Sequence, residues 1–243
     1  MPADSVWRRV LADRWCLLLG PVPSSTQVSR LRLDPDEVAE AIHEVRAEIA
    51  AVGHTDANWH VGTSATPSDL VDRLVAHGLR PEDHLTALVL TAEPPPVDGI
   101  EARRIDDLDE FRVAAAMTDD VFETPPERRA EWESILTERY DAERRGAGPR
   151  LYIAFSNGIA VGAAASVVEQ GLPAAIMVGG AVVPEARGRG AYRALVRARW
   201  DDAVNAGMPA LTVQARVTSR PILESVGFER AGEIEVLVDP ATC

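Results

Sequence analysis

Eleven residues constrain the fold of this chain more than any others: Val182-Val183-Pro184-Glu185-Ala186-Arg187-Gly188-Arg189-Gly190-Ala191-Tyr192. An apolar run ends at Pro184, which cannot donate to a sheet ladder and so closes a strand. After the turn, Ala194, Leu195 and Ala198 fall at the spacing of a helix face. Strand, glycine turn and helix therefore follow one another directly. Gly188 and Gly190 permit a tight turn, and without a Cβ they let another group approach the backbone amides. The first N–H groups of a helix lack internal partners and lie at the positive end of its dipole, so this junction favours a diphosphate.

The arginines agree. Arg187, Arg189, Arg193, Arg197 and Arg199 fall within thirteen residues that contain no acid, in a chain of net charge -13. Cations in the first turn of a helix oppose its dipole by roughly 0.3 to 1 kcal/mol each, a cost that a bound polyphosphate offsets. Arg189, Arg193 and Arg197 are four apart on one face, where they read either as a solvated stripe or as contacts for a further phosphate. Arg197 and Arg199 read equally well as ordinary surface charges. Two other phosphate loops are excluded by spacing. The triphosphate loop ends in Gly-Lys-Ser/Thr, and this chain has no lysine; the dinucleotide fingerprint needs a third glycine, and Arg193 stands in its place.

On these residues the chain resembles the GNAT superfamily of acyl-CoA-dependent N-acyltransferases, whose signature is Arg/Gln-x-x-Gly-x-Gly/Ala between a strand and a helix. Arg187-Gly188-Arg189-Gly190-Ala191-Tyr192 matches except at Tyr192, where the family has a small residue, so the helix start must make room for a ring or turn it outward. Pro221-Ile222-Leu223-Glu224-Ser225-Val226-Gly227-Phe228 resembles the family's closing helix and Gly-Phe turn. The resemblance implies an α/β (α+β) fold with a mixed central sheet flanked by helices, and acetyl-CoA as co-substrate. It implies a coenzyme site formed by Ala181, Val182 and Val183, whose N–H groups would hold the pantetheine arm and thioester carbonyl, and by Arg187, Gly188, Arg189, Gly190, Ala191 and Tyr192. It also implies a splayed strand before Pro184. Leu223 stands where the family often places a tyrosine that protonates the departing thiolate.

Upstream, the pattern predicts a strand over residues 100–105, helices over 107–121 and 126–145 that would cover the substrate, strands over 151–155 and 159–168 around an Asn157-Gly158 turn, and a further strand to Val183. Glu169-Gln170-Gly171 reads as a turn. The first ninety residues echo the last sixty: a helix ending at Gly53, a strand at 58–61, Leu74-Val75-Ala76-His77-Gly78-Leu79, and a strand at 85–90. The later copy has Gly207, Leu211 to Val213, Leu223 to Phe228, and 234–238. We therefore expect a degenerate GNAT-like domain over 1–93 and a GNAT N-acetyltransferase domain over 97–243, joined stiffly by Pro94-Pro95-Pro96. At the first copy's junction, Leu31-Arg32-Leu33-Asp34-Pro35-Asp36-Glu37, there is no glycine cradle. Its acids suit a helix start but repel a diphosphate, so this copy should not bind coenzyme.

Length and a 46% hydrophobic content suit a packed protein of one or two domains. The acidic balance argues against nucleic acid, and no apolar run is long enough for a membrane helix. Two cysteines give no disulfide framework, and residues 1–10 lack the apolar core of a signal peptide, so a cytoplasmic protein is expected. All five histidines precede residue 85 and make no compact ligand cluster, so no metal is expected. The acceptor would be a primary amine of a small molecule or peptide, and a homodimer is left open. Asp119, Asp120 and Glu123 lie where they could face that amine, with Glu123 and Asp120 as candidate bases, though each also reads as a solvated acid. Two functions stay open: an N-acetyltransferase, and a non-catalytic acyl-CoA-binding regulatory protein.

Overall fold

The computed structural model of the protein describes residues 5–168 and 172–240; the turn expected at Glu169-Gln170-Gly171 lies outside them. In chain order the elements are β1 (Arg8–Leu11), β2 (Cys16–Leu19), β3 (Thr26–Ser29), α1 (Val38–Ala50), β4 (Ala57–Gly62), α2 (Leu70–Ala76) and β5 (Arg80–Leu90). They continue with β6 (Glu101–Arg104), α3 (Leu108–Val121), α4 (Pro126–Ser134), α5 (Leu136–Arg144), β7 (Arg150–Ser156), β8 (Ile159–Val167) and β9 (Ala175–Val182). A short 3-10 turn (Pro184–Ala186), α6 (Ala191–Asn205), β10 (Leu211–Ala215), α7 (Arg220–Ser225) and β11 (Glu229–Asp239) complete the chain.

The elements form two compact units, one of Ser5–Ala87 with residues 232–240, the other of Leu88–Ala231. This division differs from a single cut at Pro94-Pro95-Pro96. The reason is pairing: β11 runs antiparallel to β4 from Ile234↔Gly62 to Asp239↔Ala57, and Leu237 enters the first core.

In the first unit the strands run β1-β2-β3-β4-β11-β5. α1 carries the crossover from β3 to its parallel neighbour β4. Its buried residues Val38, Ala41, Ile42, Val45 and Ile49 keep helical spacing and pack on Trp59 and Leu237. Asp239 is fully buried and accepts from Arg46 of α1 through Nε at 2.9 Å and Nη2 at 2.8 Å, which ties the end of β11 to the helix.

In the second unit the order is β10-β9-β8-β7-β6. β6 to β9 pair antiparallel in sequence, whereas β10 lies parallel to β9 after the α6 crossover. Alternate residues of this mixed sheet serve two layers. Tyr152, Ala154 and Ala164 pack under Leu195 of α6, while Ile153 and Ala163 meet Phe111 and Ala114 of α3. Leu88 and Leu90, at the end of β5, join Leu223 and Phe228 in a third cluster.

Most expected elements are present, and Asn157 and Gly158 take the two positive φ values, 51° and 76°, of the expected tight turn. The helix expected over 126–145 is instead two, broken at Ile135 (φ -114°, ψ 14°). The break lets Leu136 and Tyr140 reach the α3 cluster, whereas α4 buries nothing. At the first copy's junction β3 stops at Ser29, Leu31 and Leu33 are buried anchors, and Glu37 accepts from the Asp34 amide at 2.8 Å. Gly53 and Gly207 end their helices at φ 73° and 78°, and Gly78 and Gly227 theirs at 95° and 103°.

Candidate functional site

The site begins where β9 and β10 part. Their parallel pairing covers only Leu211↔Ala175, Thr212↔Ile176 and Val213↔Met177, so β9 runs on to Val182 with its β10 side open. Its other side stays on β8. Val183 N donates to Val161 O at 3.0 Å, and antiparallel alternation then turns the Ala181 amide toward β8 as well. The amides facing the open edge are those of Gly180 and Val182. Of the three residues named from sequence, Val182 thus offers its N–H to the gap, and the Val183 amide is already engaged.

The chain then passes through the 3-10 turn into the cradle. Gly188 and Gly190 both take the left-handed conformation, at φ 75° and 93°, and Gly190 caps α6 with no side-chain acceptor. The first α6 amide with an intrahelical acceptor is that of Ala194, on Gly190 O at 2.9 Å, so the amides of 191–193 are the unpaired donors of a helix start. A Cβ on Gly188 would meet nothing within 4 Å; one on Gly190 would lie 2.8 Å from Val97 Cγ1. Arg187, Arg189 and Arg193 are exposed around this turn, with Arg187 Nε on Val182 O at 3.3 Å and Arg193 Nη2 on Ser225 Oγ at 3.4 Å. A cleft of about 220 Å³ opens between Gly190, Arg193, Ser225, Val226 and the segment Pro95 to Asp98.

The arginine stripe is not uniform. Arg197 is committed to Asp201 at 2.9 Å, to Glu93 and to Pro94 O, and its pKa is raised, chiefly by the Asp201 hydrogen bond. Arg199, one of the two read equally well as surface charges, is buried under α6, and burial pushes its pKa down. Tyr192 turns inward; a Cβ on Gly180 would fall 2.8 Å from its Cε2, so the ring has room because β9 has glycine there.

No family model and no curated protein matches the chain. Solved structures do. A GCN5-related N-acetyltransferase from Kribbella flavida aligns over 96% of this chain and 90% of its own, with a TM-score of 0.70 at 18% identity. A second, from Sphaerobacter thermophilus, aligns over 95% and 81%, with a TM-score of 0.62 at 15% identity. A tandem GNAT protein of the clavulanic acid biosynthesis pathway aligns over 93% and 78%, with a TM-score of 0.60 at 18% identity. This is the GNAT fold.

Within the GNAT fold, the candidate bases lie at the end of α3. Asp120 is exposed and pairs with Arg129 at 2.7 Å; Glu123 is exposed and follows the helix at φ 52°. Leu223, where the resemblance implies a proton donor, is fully buried against the core. Tyr152 donates to Asp202, and burial first, then that bond, pushes its pKa far up. Among the described residues no group of three His, Cys, Asp or Glu side chains gathers as a metal site, and no helix is long and apolar enough to cross a membrane. Sequence reasoning missed Gly180 and Val97. The Gly179-Gly180 pair inside an apolar strand was the available signal for the first, since glycine there marks a bulge or a close approach. Val97 had none, because its partner is ninety-three residues away in the chain.

Proposed function

We propose that the protein is an acetyl-CoA-dependent N-acetyltransferase. In the reaction, the nitrogen of a neutral primary amine bonds to the thioester carbonyl carbon, the C–S bond breaks, and coenzyme A leaves as its thiol while the amine loses a proton. The observation that carries this reading is the continuity of donors along β9. Two open-edge amides, Gly180 and Val182, lead directly into a glycine turn and a helix start ringed by Arg187, Arg189 and Arg193. Such an edge can accept an amide-bearing arm as a further strand, and the helix start can accept its diphosphate. Asp98 lines the same cleft, opposed there by Arg193.

A carboxylate or water must draw off the amine's proton, because an amine with a pKa near 10 is mostly protonated at neutral pH. Glu123 is the candidate we favour over Asp120, which Arg129 holds. A non-catalytic acyl-CoA-binding protein is the second reading, favoured by the buried Leu223 in place of a proton donor. Calorimetric titration with acetyl-CoA, followed by thiol release against a panel of small amines and peptides, separates the two. Binding with amine-dependent release supports the transferase, binding without release supports the regulatory protein, and no binding overturns both.

A further inference from the structure

α6 carries one side chain that the coenzyme reading does not use. Arg199 is only 1% exposed, on the face of the sheet that α6 covers. Its Nε donates to Leu195 O, one turn back, at 2.9 Å. Nη1 reaches two β-strand carbonyls, Gly179 O at 3.4 Å and Ala165 O at 3.5 Å, and Nη2 is buried without a partner. The guanidinium carbon lies 5.9 Å from the centre of the Tyr192 ring. No carboxylate is among these partners, so the charge is buried at a steep desolvation cost.

The two carbonyls mark a specific place. Between β8 and β9 the register steps from Ala164↔Gly180 to Ala165↔Val178, so Gly179 is an extra residue, held at φ 57°. A bulge of this kind inverts the alternation of everything beyond it. With the bulge in place, the amides of Gly180 and Val182 face the open edge. Relaxing it slides the strand by one residue, which turns the amides of Ala181 and Val183 outward instead and takes Gly180 away from the Tyr192 ring.

We infer that Arg199 is a positioning residue that clamps the β9 bulge and so determines which amides of β9 meet the thioester arm. The role rests on the acetyl-CoA reading for its purpose, but the clamp itself is testable without a ligand. Arg199→Met keeps the length and removes every donor; Arg199→Lys keeps the charge on a single donor nitrogen.

Amide hydrogen exchange resolved by residue is measured first on the unliganded proteins. Arg199→Met is expected to lose about tenfold or more of the protection at Ala181 and Val183 while the β10 pairing at 211–213 is unchanged. The second measurement compares acetyl-CoA with 3′-phosphoadenosine 5′-diphosphate, which has the phosphates but no pantetheine arm. Arg199→Met is expected to weaken acetyl-CoA about tenfold and the nucleotide less than about twofold, with Arg199→Lys recovering most of the loss. Unchanged exchange in a folded Arg199→Met overturns the clamp, as does an equal loss of both ligands. Wild-type protein that binds no acetyl-CoA, with exchange altered in the variant as described, sinks the functional reading and leaves the clamp standing.

Discussion

Gly188 and Gly190 look alike in sequence but have different neighbours. Both need the left-handed conformation, yet the Cβ position of Gly188 is open whereas that of Gly190 is closed by Val97. Gly188→Val is therefore the cleaner probe: strain of about 1–2 kcal/mol in melting, and a loss of acetyl-CoA affinity of about tenfold or more by calorimetry. In Gly190→Val the same loss is mixed with a steric clash. The Tyr192 ring and Gly180 form a second pair. Gly180→Ala places a methyl 2.8 Å from Cε2 and is expected to cost about 1–3 kcal/mol, a penalty that vanishes in a Tyr192→Ala background when both are compared by thermal melting. The glycines at 188 and 190 were legible because turn chemistry is local. The inward ring was not, because the space it fills belongs to another strand.

Among the elements, β9 shows how pairing converts an apolar run into a site. Its composition predicts a buried strand, but only the end of β10 pairing after Met177 and the bulge at Gly179 decide which amides are free. The 126–145 segment is the opposite case. Its helix propensity is continuous, and the break at Ile135 comes from where Leu136 and Tyr140 must pack. β5 and β11 add a titratable contact: His84 donates through Nδ1 to Glu235 at 2.7 Å, and its Nε2 lies 3.2 Å from Glu233. Its pKa is raised above 6.5, first by the Glu235 hydrogen bond. A raised folded value means stability that is fully present below the unfolded pKa and is lost as pH rises through the folded one. Wild type is thus expected to melt above His84→Gln at about pH 6, with the gap closing as pH climbs past the raised value. A gap independent of pH would remove the ion pair from the account.

Taken whole, the chain repeats backbone features between its first ninety and its last sixty residues. Left-handed glycines follow α1 and α2 as they follow α6 and α7, but the chain puts Asp34, Asp36 and Glu37 before α1 where it puts Gly188 and Gly190 before α6. β11 belongs with the first unit, and Arg46 on Asp239 secures its end. Because Asp239 is fully buried and Arg46 retains some exposure, the two sides of this pair are unequal. Arg46→Met removes two charged hydrogen bonds from a buried carboxylate and is expected to cost about 2–4 kcal/mol in denaturant unfolding, whereas Asp239→Leu costs less because the freed guanidinium can turn to water. The order of strands and helices from residue 97 onward, apart from the break at Ile135, and the glycine turn between β9 and α6 follow from residue order, since periodicity, turn chemistry and helix-end preferences act over a few neighbouring positions. The partner of β11, the outward amides of β9, the burial of Arg199 and the approach of Val97 to Gly190 were settled by folding alone. Each depends on the register between segments far apart in the chain, and a shift of one residue there exchanges the faces of a whole strand without changing any local pattern.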